Sequence, residues 1–210
     1  MKLTIIGASG HGKVVADIAE KNGYDEIEFF DDDESIEFCG KWPVAGTVHE
    51  AVSGDDDVFI AIGKAETREK LMECFDGRHF PVLIHPNAVV ADDVVIGEGS
   101  VVIAGAVINP GAKIGRGVIV NTCSSVDHDC IVEDFVHISV GAHLAGTVSV
   151  GKGSWIAVGA SVSNNVEICE GVMVGAGAVV IHDIREKGTY VGVPARKMTK
   201  LKLNGGGGTP

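Results

Sequence analysis

Large rings are scarce in this sequence: aromatic residues make up 5% of it. A thick core built around such side chains is therefore excluded. Long apolar runs are also missing, and none approaches the roughly eighteen residues that would suggest a membrane-spanning helix. Positive charge is in short supply, with 17 Lys and Arg against 29 Asp and Glu and a formal net charge of −12. Such a chain repels nucleic-acid backbones and anionic membranes on average, so neither is expected as a partner. The five cysteines, Cys39, Cys74, Cys123, Cys130 and Cys169, are odd in number and include no C-x-x-C pair. That argues against a disulfide framework or zinc knuckle and for a reducing, cytoplasmic setting. Met1 leads directly into a strand-like run without a basic segment and long apolar stretch, so no export signal is expected.

Glycine, by contrast, is abundant at 29 residues, and the second half of the chain has a period of six. An aliphatic residue stands at every sixth position from Ile84, Val90, Ile96 and Val102 through to Val174 and Val180, without an insertion. The fourth residue after each of them, from Ala88 to Ala178, is Ala, Val, Ser or Cys. A helix repeats its apolar face every three to four residues and a strand every two, so neither explains a strict six. A triangular prism does. Each hexad supplies one short flat strand and a corner, and three hexads close a coil that stacks on the next at about 4.8 Å. The aliphatic residue fills the axis, and Gly97, Gly99, Gly111, Gly115, Gly117, Gly151 and Gly153 are expected to supply the backbone freedom that corners need.

The first eighty residues read differently. A strand over Lys2–Gly7 runs into GASGHGK, followed by a helix over Val14–Lys21. A second strand, Glu28–Phe30, ends in Asp31, Asp32 and Asp33, and a third, Val58–Ile62, precedes Gly63. This is a truncated Rossmann-like unit. Its glycine turn offers backbone N–H groups to a phosphate, and its acids could hold a ribose hydroxyl. The spacing is G-x-x-G-x-G and not the dinucleotide G-x-G-x-x-G, which argues against NAD and leaves a purely structural turn open.

The hexads Ile96–Val101 (IGEGSV) and Val150–Trp155 (VGKGSW) resemble those of the hexapeptide-repeat acyltransferases. Together with GASGHG, FDDD, AIGKAETR, IHPNAVV and GTYVGVPARKM, they make residues 2–203 similar to one branch of that family: bacterial nucleotide-sugar N-acetyltransferases and sialic-acid O-acetyltransferases. The resemblance implies a small Rossmann-like α/β domain binding a nucleotide sugar (1–83), a left-handed parallel β-helix (84–183), a closing segment (184–203) and a flexible tail (204–210). It also implies a homotrimer with active sites between subunits.

Acetyl transfer from a thioester needs a base for the nucleophile's proton and donors for the oxyanion. In this branch the segment N-T-x-x-x-x-x-H-[ED] supplies the base, which here is His128, with Asp129 orienting it where many relatives have Glu. Asp127 or a water is the alternative orienting group. By the same resemblance His137 touches acetyl-CoA and Asn121 lies near the sugar. Gly7, Ser9, Gly10 and His11 line the diphosphate, Asp31 and Asp32 the nucleoside, and Ala61, Ile62, Gly63 and Lys64 the far wall. Gly146, Gly159 and Gly175 admit the pantetheine arm, and Arg196 or Lys197 meets the coenzyme phosphates. His143 is expected on the surface, and Cys130, in a small-residue position, is expected to pack.

The implied function is direct transfer of acetyl from acetyl-CoA, without a metal, to the 4-amino group of a nucleotide-linked 4-amino-4,6-dideoxy sugar for cell-surface glycans. O-acetylation of sialic acid or another sugar is the alternative. A zinc-dependent carbon dioxide hydratase on a similar β-helix is disfavoured, because His137 and His143 are six apart and fall on adjacent faces. A silent sugar-nucleotide sensor or a purely structural β-helix remains as a non-enzymatic alternative.

Overall fold

The computed structural model describes residues 1–199. Residues 200–203 of the expected closing segment, and the tail after them, lie outside the described residues. The amino-terminal domain is a five-stranded sheet ordered β3-β4-β2-β1-β5, with β1 Lys2–Ile6, β2 Glu26–Phe30, β3 Phe38–Cys39, β4 Trp42–Gly46 and β5 Asp57–Ile60. All pairs are parallel except β3 with β4. Helices α1 (Gly10–Lys21), α2 (Val48–Ala51) and α3 (Ala65–Cys74) complete it.

Helix α1 starts at Gly10, four residues before the helix expected from Val14, so GHGK is its first turn. Ser9 is the extended residue at its N-terminus. The glycines here serve close packing as much as turning. A Cβ at Gly12 would strike the carbonyl oxygen of Gly7 and the ring of Phe29, so only glycine lets α1 lie this near β1 and β2.

From Leu83–Ile84 to Val179–Val180 the chain is a succession of two- and three-residue strands separated by four- or three-residue turns. Strands eighteen residues apart pair in parallel, as Val101↔Ile119 and Ile119↔His137 illustrate. Three sheets of six, five and eight strands form the faces of a parallel β-helix. Every aliphatic repeat position from Val102 to Val180 is buried in one continuous core with the small residues between them. Ser100, Ser124 and Ser154 fill such positions by donating their hydroxyls to main-chain carbonyls. Cys130 does likewise with its thiol to the carbonyl of Ala145, and is fully buried.

Fourteen successive corners, at every sixth residue from Gly99 to Gly177, take a positive φ. Nine are glycine; Cys123, Asp129, Phe135, Thr147 and Asn165 are not. Gly97, Gly115 and Gly151 are not left-handed, contrary to the expectation of a corner role. A Cβ on any of them would collide with the backbone of the coil above, so their function is close stacking.

The α/β domain packs on the eight-stranded face. On one side Leu83, Val101, Ile103 and Ile119 join the cluster of Leu3, Ile5, Val15 and Ile18. On the other, Phe135 enters the cluster of Ile6, Ile60, Met72, Phe75 and Phe80. Each such large side chain removed from water contributes roughly 1.5–3 kcal/mol, enough to hold two small domains as one unit. Among the described residues no helix is long and apolar enough to cross a membrane.

Candidate active site

The turn Asp127–Cys130 joins the six-stranded face at Ser125–Val126 to the five-stranded face at Ile131–Val132. One oxygen of Asp127 accepts from the His128 amide and from Asn109 Nδ2, both at 2.8 Å, which pins the turn. Asp129 occupies the left-handed corner (φ 58°), a conformation Asp tolerates better than most residues. There its Oδ2 comes 2.8 Å from His128 Nδ1. An ionised carboxylate only accepts, so Nδ1 carries the proton and Nε2 keeps a free lone pair. That hydrogen bond raises the His128 pKa above the ordinary 6.5; desolvation opposes it, and the charges of Asp127 and Asp129 add to it. The ring rests over Gly146, where a Cβ would run into Nε2, Cε1 and Cδ2. Gly146 therefore seats the imidazole, a role its expected coenzyme contact did not anticipate.

His137 belongs to the eight-stranded face and is held in a different way. Its ring stacks on Trp155 with centroids 5.1 Å apart and planes 19° from parallel. Trp155 is fixed in turn by a hydrogen bond from Nε1 to Ser139 Oγ. Asn121 accepts the Thr122 amide on Oδ1 at 2.8 Å, so its Nδ2 must face His137 Nε2 at 3.1 Å. Nε2 then accepts, and the proton sits on Nδ1, which is buried without a partner among the described residues. Burial first, then the nearby His11 and Arg68, push the His137 pKa down to about 3. His11, at the head of α1, is lowered to about 4, by burial and then by Arg68, and its Nε2 is also buried and unpartnered. Both imidazoles are neutral at physiological pH.

His137 opens into a cleft of about 440 Å³ between the two domains. Gly63, Lys64, Ala65 and Glu66 form one wall, and Phe135, Trp155 and Met173 with the adjoining glycine corners form the other. Gly7, Ser9, Gly10 and His11 lie at the β1–α1 turn, and Ala61 and Ile62 follow β5, at the carboxyl ends of neighbouring parallel strands. Open α/β sheets bind ligands at that end. Asp31 Oδ2 accepts the Ala8 amide at 2.7 Å and Asp32 Oδ1 the Val48 amide at 3.1 Å, so both acids brace loops there. A second cleft of about 370 Å³, lined by Asp31, Asp33, Thr47 and Glu50 among others, continues from them.

The expected site residues thus fall into separate places. Gly63, Lys64 and His137 line the interdomain cleft, with the buried His11 near His137, while His128, Asp129 and Gly146 share an edge of the prism between the six- and five-stranded faces. Asn121, Gly159 and Gly175 lie in the turns between the eight- and six-stranded faces, and Asn121 reaches His137. Arg196 is exposed and its guanidinium donates to the carbonyl of Ala195, whereas Lys197 is paired with Glu186 at 2.8 Å. His143 is exposed, with Nδ1 2.9 Å from Ser125 Oγ. No group of three or more His, Cys, Asp or Glu side chains converges as a metal site among the described residues. Trp155 and Arg68 were not foreseen as site residues. The first stands eighteen residues after His137 in the repeat, a signal that was legible.

Comparison with known proteins gives a consistent picture. Residues 2–75 match the PglD N-terminal domain family. UDP-N-acetylbacillosamine N-acetyltransferase of Bacillus subtilis (strain 168) is 36% identical over 106 residues, 47% of this chain and 49% of that protein, so the match spans about half the length of that relative. The acetyltransferase domain of PglB from Neisseria gonorrhoeae FA1090, solved in complex with acetyl coenzyme A, is 43% identical with a TM-score of 0.91, over 94% of this chain and 98% of that one. A His-to-Asn variant of perosamine N-acetyltransferase from Caulobacter crescentus, in complex with CoA and GDP-perosamine, is 36% identical with a TM-score of 0.89, over 95% and 97% of the two chains. With relatives of this identity matched over nearly their whole length, the chain belongs to the nucleotide-sugar N-acetyltransferases of the hexapeptide-repeat acyltransferase family.

Proposed function

We propose that the protein transfers the acetyl group of acetyl-CoA to the 4-amino group of a nucleotide-linked 4-amino-4,6-dideoxy sugar, by direct attack and in the service of cell-surface glycan synthesis in the cytoplasm. The observation that carries this reading is His128: an exposed imidazole whose Nδ1–H is engaged by Asp129, leaving Nε2 free as a base. The amine attacks the thioester carbonyl carbon as His128 Nε2 takes its proton. The tetrahedral adduct collapses, the C–S bond breaks, and the proton passes from His128 to the departing thiolate. His137, neutral and lining the interdomain cleft, is assigned to a contact with acetyl-CoA. No acyl-enzyme is required, and the burial of Cys130 speaks against one there.

The diphosphate is assigned to Gly7, Ser9, Gly10 and His11, the nucleoside to Asp31 and Asp32, and the sugar to the cleft between Ala61–Lys64 and Asn121. The coenzyme is assigned to the edge carrying Gly159 and Gly175, with Arg196 near its phosphates. A homotrimer is part of the proposal. His128 stands on an edge of the prism and His137 on the face opposite, and a neighbouring copy would bring one chain's His128 to another's cleft.

The test is to incubate the purified protein with acetyl-CoA and a panel of UDP-, dTDP- and GDP-linked 4-amino-4,6-dideoxy sugars, with sialic acid alongside, following thiol release and product mass. Acetylation of one amino sugar supports the reading. Turnover of sialic acid alone moves the assignment to O-acetylation.

A further inference from the structure

Arg68, in α3, is 1% exposed, and all its hydrogen bonds are to main-chain carbonyls. Nη1 donates to Ile62 (2.7 Å) and Gly63 (3.0 Å), which leave β5. Nε donates to Gly117 (2.6 Å) and Nη2 to Phe135 (2.6 Å), the same corner in two successive coils of the β-helix. Burying a guanidinium without a carboxylate partner is costly, and only a planar fork of donors can satisfy four carbonyls on two domains at once. Lysine cannot replace it.

Phe135 is unusual in its own right. At the equivalent corner of the neighbouring coils stand Gly99, Gly117, Gly153 and Gly171, all with positive φ. Phe135 takes the same left-handed backbone (φ 59°) with a large side chain, at a cost that surrounding structure must offset. Its ring is 3% exposed and packs among Ile60, Met72, Phe75 and Phe80 of the α/β domain. Gly63, Phe135 and His137 all line the interdomain cleft, so the groups that Arg68 ties together are its two walls.

We propose that Arg68 and Phe135 form a latch that fixes the width of this cleft, making Arg68 a positioning residue for the sugar of the acceptor substrate. The latch stands on geometry alone; only its effect on the sugar rests on the function proposed above. A second link across the junction, Lys152 to Glu69 at 2.5 Å, is partly exposed; broken at Glu69, so that Lys152 is kept over the Phe135 ring, it serves as the control.

The experiment compares the full chain with Arg68→Met, Phe135→Gly and Glu69→Gln. Hydrogen exchange is measured by mass spectrometry, and KM and kcat for both substrates by thiol release. In Arg68→Met, segments 61–66 and 135–138 should exchange about tenfold faster while β1 and α1 keep their protection. KM for the nucleotide sugar should rise about tenfold, with KM for acetyl-CoA and kcat changed by no more than about threefold. Phe135→Gly should act in the same direction, and it provides the test if Arg68→Met does not fold. Glu69→Gln should leave both segments and both KM values within about twofold, as expected for a partly exposed pair. Unchanged exchange at both segments would overturn the latch, and equal losses for the two substrates would overturn its role in positioning the sugar. If the unaltered protein acetylates no nucleotide sugar, the substrate reading fails and the exchange data alone decide the latch.

Discussion

His128 and His137 are nine residues apart on the same β-helix, yet the two regions around them are opposites. The first sits on an exposed turn between two acids, and its pKa is raised by a hydrogen bond to Asp129. The second is sandwiched between Trp155 and the α/β domain, and burial lowers its pKa to about 3. Identical side chains on one scaffold thereby differ in what they can do: one ring can take up a proton near neutral pH, as the proposed base must, and the other is held neutral. The difference comes from what each hexad faces, since one side of the prism is bare and the other is covered.

The contrast can be broken most forcefully at the base. Replacing His128 with Ala should lower kcat/KM by about 1000-fold, the middle of the range for loss of a general base, with thiol release as the readout. His137→Ala should cost on the order of 100-fold, as when reacting groups are misplaced by about 1 Å, and should leave the acid limb of the pH–rate profile where it was.

Asp129→Asn sharpens the contrast instead. A base works only when neutral, so the rate falls as pH drops through the raised pKa of His128. Without the carboxylate that pKa falls, so the acid limb should move to lower pH while the plateau drops by about tenfold or less.

The smallest effect is on stability. His137 and His11 are both lowered, to about 3 and about 4, so below the usual 6.5 the unfolded chain binds protons that the folded chain refuses. Stability from these groups is complete above 6.5 and declines as pH falls towards 4. Tm should therefore be roughly 5–10 °C lower at pH 5.5 than at 7.5. Little change between those values would mean that the two rings are accessible to water.

Much of the β-helix was legible because its signal is local and repeated: each aliphatic position that the period of six selects from Val102 onward is buried. The left-handed corners repeat with the same period, yet Asp129 and Phe135 hide there because glycine is not the residue that marks them. Gly97, Gly115 and Gly151 misled for the converse reason, since close stacking demands glycine as strongly as turning does. In the site, the His128–Asp129 pair is adjacent in sequence and could be read. The tautomer of His137 could not, because it depends on Asn121 sixteen residues away. Arg68 reaches carbonyls 49 and 67 residues distant, and no local pattern foretells such partners.

Nitrogen-15 NMR of the imidazoles, recorded on the full protein from pH 5 to 8.5, reads both rings at once. His128 should titrate above its usual 6.5 with Nδ1 protonated in the neutral form, while His137 stays neutral throughout with its proton on Nδ1. A His137 that titrates near neutrality, or a His128 that has already lost its proton at pH 5, would contradict the division of labour between the two histidines.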